Sequence, residues 1–252
     1  MNLDIAGKVI VITGAARGIG RSLALGLAGE GARIAVLARE RAQAQRVVEE
    51  ISSLPGAPEA LALEADVGDE AAVTSVAAEI DRAWGRVDSL VSNAGWMPGS
   101  QPVLDLEVAV LERVLRSNIV GAFLVTKHFA PIMIRSGGGR IIYLSSIGAV
   151  QAGPGGAPYG GSKAALNILA NVAHQELSDS GIRTVALAPG LTDTPGMREV
   201  LGEDRIQRVA ANYPGGRLGQ PDDLVGLTTF LCSDAANHIS GTVITVRPAI
   251  TR

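Results

Sequence analysis

The hydrophobic positions of the chain fall into seven short runs that are continuous rather than alternating. The runs are rich in β-branched residues and cover residues 9–12, 34–37, 60–63, 89–91, 141–144, 184–187 and 243–246. Continuous apolar runs of this length are typical of strands buried on both faces. Between them lie stretches with a helical pattern, at residues 18–30, 40–53, 69–84, 104–136, 159–180 and 221–233. This alternation predicts a single α/β domain over residues 1–252, a doubly wound seven-stranded parallel sheet with helices on both faces.

One long segment interrupts this rhythm after the sixth predicted strand. Residues 194–216 include Pro195, Gly196 and Pro214 and follow no regular pattern. Doubly wound sheets bind their ligands beyond the carboxyl ends of the strands. We therefore expect the segment to form a substrate lid. The alternative is an ordinary surface loop with one helix.

Composition and charge narrow the class of protein. The chain has 252 residues, of which 31 are glycine and 47% are hydrophobic, and its formal net charge is −3. A disordered chain would be less apolar and more highly charged. The slightly acidic balance gives no general attraction to nucleic acid or to an anionic membrane. No run approaches the roughly 18 apolar residues of a membrane span, and we recognise no signal peptide.

The cysteine and histidine content argues against disulfides and metals. Cys232 is the single cysteine, which we interpret as a small apolar residue in a helix. A chain without an internal disulfide fits a reducing compartment, so we expect a cytoplasmic protein. His128, His174 and His238 are scattered without the spacing of metal ligands, and no metal site is predicted.

A glycine-rich turn joins the first predicted strand to the first helix. It contains Gly14, Arg17, Gly18, Ile19 and Gly20, in a G-x-x-x-G-x-G spacing. Glycines let a backbone approach a pyrophosphate closely, and the start of a helix supplies N–H donors and a positive dipole. In this position the turn predicts a dinucleotide site of the Rossmann type. A tight turn that only packs the helix on the sheet is the alternative.

The end of the second predicted strand bears on which dinucleotide is bound. A site for NAD needs a carboxylate there to hold the ribose 2′-hydroxyl, and this chain has Ala38 followed by Arg39. Arg39 and Arg17 suit the charge of a 2′-phosphate. We therefore predict a preference for NADP(H). Glu40 could offset Arg39 in part, and two solvated surface arginines remain the alternative.

Four polar residues are candidates for the reaction centre. Tyr159 and Lys163 are spaced i and i+4, so they share one face of a helix. Ser146 ends the fifth predicted strand, and Asn118 lies inside the long helical stretch before that strand. Each is common by itself, but their order on a sheet with a dinucleotide turn is specific.

These motifs together resemble the short-chain dehydrogenase/reductase family, in particular its 3-oxoacyl-carrier-protein reductases and related carbonyl reductases. Besides the turn and the four polar residues, the resemblance rests on Asp66-Val67, Asn93-Ala94-Gly95, Pro189-Gly190 and residues 217–223. It covers nearly the whole chain. It implies a small-molecule carbonyl or alcohol substrate, which a carrier protein could hold, and a homo-oligomer, either dimer or tetramer.

The resemblance also implies roles for individual residues. Tyr159 is the acid or base at the substrate oxygen, Ser146 orients that oxygen, and Asn118 holds a water of the proton relay. Lys163 binds the nicotinamide ribose and lowers the pKa of Tyr159. The cofactor residues implied are Asp66 and Val67 at the adenine, Asn93, Ala94 and Gly95 in support, and Pro189, Gly190, Thr192 and Thr194 beside the nicotinamide.

The substrate contacts are less defined by the sequence. Trp96, Gln151 and Met197 are the candidates, and Trp96 could equally serve only to pack its loop. Relatives commonly end their last strand with an Asp-Gly-Gly turn, whereas this chain ends with residues 247–252, Arg-Pro-Ala-Ile-Thr-Arg. This departure leaves dimer and tetramer both open.

Three functions follow as hypotheses. The first is an NADPH-dependent carbonyl reductase, acting on a 3-oxoacyl thioester or on a ketone of secondary metabolism. The second is an NAD-dependent alcohol dehydrogenase, which Ala38 and Arg39 disfavour. The third is a non-catalytic nucleotide-sensing scaffold on the same fold, which the presence of both Tyr159 and Lys163 disfavours.

Overall fold

The computed structural model describes residues 3–213 and 216–247. Its strands are β1 (Val9–Thr13), β2 (Arg33–Ala38), β3 (Ala60–Glu64), β4 (Ser89–Ser92), β5 (Gly139–Leu144), β6 (Ile182–Pro189) and β7 (Thr242–Val246). They form one parallel sheet in the order β3-β2-β1-β4-β5-β6-β7. Each strand contains the run predicted for it, so the predicted fold class is confirmed.

Helices cover both faces of this sheet. They are α1 (Gly18–Gly29), α2 (Arg41–Ser52), α3 (Glu70–Trp84), α4 (Val108–Leu115), α5 (Gly121–Arg135), α6 (Ala157–Leu177), α7 (Pro195–Leu201), α8 (Glu203–Asn212) and α9 (Val225–Cys232). Two apolar cores result, one on each face, to which alternate residues of β1 contribute: Val9 and Val11 on one side, Ile10 and Ile12 on the other. This two-sided burial is the reason why the strands are apolar without alternation.

The stretch predicted to be helical over residues 104–136 is helical from 108 to 135, but it is not a regular α-helix throughout. That stretch contains α4, then a π-helical segment (Arg116–Val120), then α5. The segment contains no proline or glycine, so its sequence does not signal the π-helical turn. A π-helical turn inside a helix often marks a functional site.

The segment after β6 is more regular than its composition indicates. It contains two helices, α7 and α8, rather than a loop with one helix. Of the predicted lid, residues 214 and 215 lie outside the described residues, as do residues 248–252 of the unusual C-terminus. Within the described ranges, none of the helices has both the length and the apolar character needed to cross a membrane.

The strand order places the functional end of the sheet. The chain runs outward from β1 through β2 to β3, then returns to the other side of β1 at β4. The carboxyl ends of β1 and β4 therefore border a crevice at the point where the order reverses, which is where such sheets bind ligands.

Candidate active site

The glycine turn after β1 adopts a backbone that side chains would obstruct. Gly14 and Gly18 have φ values of +64° and +56°, in the left-handed region that favours glycine. A Cβ on Gly20 would lie 2.4 Å from the carbonyl oxygen of Gly14. The first turn of α1 carries no acidic residue. Bare backbone and an unopposed helix N-terminus fit the pyrophosphate of a dinucleotide.

Hydrogen bonds between β1 and β4 fix the shape of this turn. The Thr13 hydroxyl accepts from the backbone N–H groups of Asn93 (3.0 Å) and Ala94 (2.9 Å). The Asn93 amide in turn donates to the carbonyl oxygens of Thr13 (2.8 Å) and Gly14 (3.1 Å). Asn93 and Ala94 therefore hold the two strand ends together at the crevice.

A matched pair of glycine substitutions in α1 tests how tightly the turn is packed. We expect Gly20→Ala to destabilise the protein by about 1–3 kcal/mol and to weaken dinucleotide binding, because the new methyl group would collide with Gly14 and with the Asn93 amide. Gly29→Ala, in open space at the other end of the helix, is expected to be neutral or stabilising by up to about 1 kcal/mol. Thermal unfolding with and without dinucleotide measures both. Equal effects of the two substitutions would contradict the packing argument.

The π-helical segment places Asn118 beneath the loop that follows β4. The Asn118 side chain is 1% exposed. Its oxygen accepts from the Trp96 backbone N–H (2.7 Å), and its nitrogen donates to the Trp96 carbonyl oxygen (3.1 Å) and the Ser162 hydroxyl (2.9 Å). Ser162 donates to the carbonyl oxygen of Tyr159 (2.7 Å). Asn118 therefore connects the loop after β4 to the start of α6, where Tyr159 and Lys163 lie.

Lys163 is a buried cation at the centre of the site. Its side chain donates to the Leu144 carbonyl oxygen at the end of β5 (2.5 Å), and its Nζ lies 5.6 Å from the centroid of the Tyr159 ring. Burial lowers the pKa of Lys163 to about 8. A Cβ on Gly95 would lie 3.2 Å from the Asn118 oxygen and 3.5 Å from the Lys163 nitrogen. A larger side chain at this position would therefore crowd these two groups.

Ser146 and Tyr159 meet at the mouth of the site. Ser146 follows β5, and its hydroxyl accepts from the Gly148 backbone N–H (3.0 Å). Burial raises the pKa of Tyr159, and a hydrogen bond with Ser146 offsets part of that increase. The expected lowering of the Tyr159 pKa by Lys163 is thus not found here. In the described part of the chain the lysine ammonium bonds only to Leu144, while the phenol is desolvated.

Of the two arginines predicted to bind a 2′-phosphate, Arg17 makes an ion pair, and Arg39 makes none with the described residues. Ala38 ends β2 and is buried, and Arg39 beside it is exposed. No carboxylate of the described residues pairs with Arg39, not even the neighbouring Glu40. The Arg17 guanidinium, by contrast, makes a two-pronged ion pair with Glu199 of α7. No local sequence pattern predicts this pair, because the two residues lie 182 positions apart.

The predicted adenine residues follow β3. Asp66 is exposed, and its carboxylate accepts from the Gly68 backbone N–H (2.8 Å). Val67 is buried, and its side chain packs so closely on Gly121 that a Cβ there would lie 2.5 Å from it. Val67 thus anchors α5 against the loop, while Asp66 faces outward beside the crevice.

The predicted nicotinamide residues follow β6. Pro189 ends this strand, and the Gly190 N–H donates to the Val246 carbonyl oxygen of β7 (2.7 Å). Thr192 is buried and donates to the Gly190 carbonyl oxygen (3.0 Å), while Thr194 caps α7 by accepting from the Met197 N–H (3.2 Å).

Sequence reasoning missed Tyr213 in this region. Its hydroxyl accepts from the Leu191 N–H (3.1 Å), and a Cβ on Gly190 would lie 2.5 Å from that oxygen. Tyr213 therefore fastens the end of α8 to the backbone that follows β6.

The candidate substrate residues lie on three different segments: the loop after β4, the loop after β5 and α7. The face of Trp96 is covered by the Arg113 guanidinium, 4.0 Å from the ring centroid, which fits packing of the loop as well as a pocket wall. Gln151 is exposed, and Met197 is partly buried in the first turn of α7.

Among the described residues, no group of three or more His, Cys, Asp or Glu is placed to hold a metal ion. Cys232 is buried at the end of α9, and burial raises its pKa to about 11.

Known proteins are similar to this chain over nearly its full length. A family model described as Enoyl-(Acyl carrier protein) reductase matches residues 14–247. L-rhamnose 1-dehydrogenase (NAD(P)(+)) of Sphingomonas sp. (strain SKA58) is 36% identical over 96% of this chain and 95% of its own. The 3-oxoacyl-[acyl-carrier-protein] reductase FabG of Thermotoga maritima is 32% identical, over 96% and 97%. A solved structure of 7 alpha-hydroxysteroid dehydrogenase, complexed with NADH and 7-oxo glycochenodeoxycholic acid, has a TM-score of 0.92 at 33% identity, over 99% of this chain and 96% of that chain.

A parallel sheet with a glycine turn, beside which a buried lysine and a tyrosine converge, defines a nicotinamide-dependent oxidoreductase. More particularly, the chain belongs to the short-chain dehydrogenase/reductase family. This confirms the resemblance drawn from the sequence. Members of the family act on small-molecule substrates with a nicotinamide cofactor.

Proposed function

We propose that the protein is an NADP(H)-dependent carbonyl reductase, a ketoreductase that converts a ketone to a secondary alcohol. The observation that carries this proposal is the convergence of Ser146, Tyr159, Lys163 and Asn118 at the carboxyl ends of β4 and β5, beside the glycine turn.

The roles of the four residues follow from their surroundings. When bound, the nicotinamide supplies the hydride. The Ser146 hydroxyl and the Tyr159 ring lie 3.3 and 3.8 Å from where a Cβ on Gly148 would be, so a carbonyl oxygen bound beside them meets two hydroxyl donors. The raised pKa of Tyr159 keeps its phenol protonated near neutral pH, which suits an acid that protonates the product oxygen. Lys163 provides a buried positive charge, and Asn118 holds the loop after β4 in place.

The preference for NADP(H) over NAD(H) is also a proposal. Ala38 removes the carboxylate that would repel a 2′-phosphate, and Arg39 is available to bind it. We further propose that Asp66, Val67 and the residues after β6 border the adenine and the nicotinamide, as the resemblance implies. The fit of the turn to a dinucleotide supports this placement.

Arginine substitutions test the preference. Arg39→Ala is expected to raise the Kd for NADPH about tenfold or more, because a charge-assisted hydrogen bond is lost. The Kd for NADH should change less than about twofold, since NADH lacks the 2′-phosphate. Arg41→Ala is the control, because Arg41 is exposed two residues further on and pairs with Glu79. Fluorescence titration measures both constants. Equal losses for NADPH and NADH would contradict the assignment.

The substrate is tested by turnover. Ketones, 3-oxoacyl thioesters and oxo-steroids would be offered with NADPH and its consumption followed. We expect reduction of at least one class. An NAD-dependent alcohol dehydrogenase is the second candidate, and one observation favours it: Glu199 already occupies Arg17. Faster oxidation of secondary alcohols with NAD would support that reading, and no turnover in either direction would support a non-catalytic scaffold.

We also propose that the protein is a cytoplasmic homo-oligomer, a dimer or a tetramer. Apolar side chains on α5 and α6 support assembly, because Phe123, Ile168 and Val172 are 53%, 66% and 40% exposed. The single buried thiol of Cys232 fits a reducing compartment. Light scattering should give a dimer or tetramer for the wild type and a smaller species for Ile168→Glu. A monomeric wild type would overturn the proposal.

A further inference from the structure

The start of the lid is seated on the glycine turn. Thr194, which caps α7, has its Cβ 3.5 Å from where a Cβ on Gly18 would lie. A Cβ on Gly196 would lie 3.9 Å from the Arg17 guanidinium. The ion pair between Arg17 and Glu199 is therefore part of a wider contact between α7 and the turn. Both side chains are more than half exposed, so solvent and a ligand can reach the pair.

The pair uses the same geometry that recognises phosphate. Two guanidinium nitrogens of Arg17 face the two carboxylate oxygens of Glu199, with Nη2 and Oε2 3.1 Å apart. A forked guanidinium binds a carboxylate or a phosphate in this way, but not both through the same nitrogens. The hydrogen bond from Arg17 lowers the pKa of Glu199, so the carboxylate stays charged at neutral pH. A phosphate group arriving at Arg17 would meet a competing anion.

The geometry points to Glu199 as a residue that determines cofactor specificity. It competes with a 2′-phosphate for Arg17 and thereby reduces the preference for NADPH over NADH. This inference rests on the proposed binding of NADP(H) and on the expectation from the sequence that Arg17, together with Arg39, borders the 2′-phosphate. The role at the cofactor follows from the position of α7, which brings the carboxylate to the turn.

Charge-neutral substitutions in the lid test this inference. Glu199→Gln is expected to lower the Kd for NADPH about two- to fivefold at low ionic strength, in line with the strength of exposed ion pairs. The Kd for NADH should remain within the error of measurement. Glu203→Gln is the matched control, because it removes the same charge from the same lid but from a carboxylate that pairs with Arg198. It should change neither constant.

A smaller probe separates competition from closure of the lid. Adenosine 2′,5′-bisphosphate carries the 2′-phosphate but no nicotinamide, and adenosine 5′-monophosphate lacks both. Glu199→Gln should tighten binding of the first about as much as it tightens NADPH, leave the second unchanged, and lose its effect at high salt. Weaker binding of both probes would mean that the pair only secures the lid, which overturns the inference, as would no change in either.

Arg17→Ala distinguishes failure of this inference from failure of the proposed function. If Arg17→Ala weakens NADPH binding while Glu199→Gln has no effect, the competition is wrong but the cofactor assignment stands. If Arg17→Ala affects neither cofactor, Arg17 does not border the 2′-phosphate, and the assignment on which the inference rests is wrong as well.

Discussion

Tyr159→Phe should lower kcat for carbonyl reduction by about 10³-fold or more, at the upper range of what one general acid contributes. The substitution removes only the phenolic hydroxyl and leaves the aromatic ring in place. The backbone of Tyr159 still accepts from Ser162, so the contact with Asn118 stays in place. We therefore expect the Kd for NADPH to change less than about twofold. Steady-state kinetics and fluorescence titration measure the two quantities separately.

Tyr143→Phe is the matched control for this prediction. Tyr143 is buried in the core on β5, and its hydroxyl lies 2.8 Å from that of Thr126. Loss of that hydrogen bond should cost about 1 kcal/mol of stability without affecting kcat. A Tyr159→Phe enzyme with nearly normal kcat would refute the proposed proton donor. A large increase in the Kd for NADPH would instead mean that the hydroxyl holds the cofactor.

The sheet could be predicted from the sequence because its signal is local. Each strand is a run of mostly apolar residues between turns, and β1, β2 and β6 show no alternation because they are buried on both faces. The π-helical turn between α4 and α5 could not be predicted in this way. Such a turn adds one residue to a helix without changing its composition, and the sequence of Arg116–Val120 contains no proline or glycine that would signal it.

The candidate site likewise contains contacts that the sequence predicts and contacts that it does not. Tyr159 and Lys163 are one helical turn apart, so their spacing already places them together. The pair between Arg17 and Glu199 joins residues 182 positions apart, and the bond between Leu191 and Tyr213 joins residues 22 apart. No periodicity encodes such contacts, because they depend on how α7 and α8 pack over the sheet. The pKa of Tyr159 likewise depends on burial, which spacing alone does not give.

Lys163→Met should lower the activity of the protein without lowering its stability at neutral pH. Without the buried ammonium we expect kcat/KM to fall at least about a hundredfold and NADPH binding to weaken. The cofactor-free variant should nevertheless be no less stable than the wild type at neutral pH. The reason is that the wild-type protein holds a desolvated charge there, whose only hydrogen bond among the described residues is to Leu144. Methionine fills similar space without that cost, although it leaves the Leu144 carbonyl oxygen without this donor.

The lowered pKa of Lys163 predicts how the stability difference between the variant and the wild type changes with pH. The pKa of Lys163 is about 8 in the folded protein, against 10.5 for an ordinary lysine. Below pH 8 the lysine is protonated in both the folded and the unfolded state, and the folded state bears the full cost of burying the charge. Between about pH 8 and 10.5 only the unfolded chain keeps the proton. The wild type therefore gains stability as the pH rises, by up to about 1.4 kcal/mol per pH unit. The stability of Lys163→Met relative to the wild type should therefore decline across that window in urea unfolding. Lys127→Met, at an exposed lysine paired with Glu70, is the control and should retain activity. A constant difference between Lys163→Met and the wild type would show that burial does not lower the pKa of Lys163, and an active variant would show that the ammonium is dispensable.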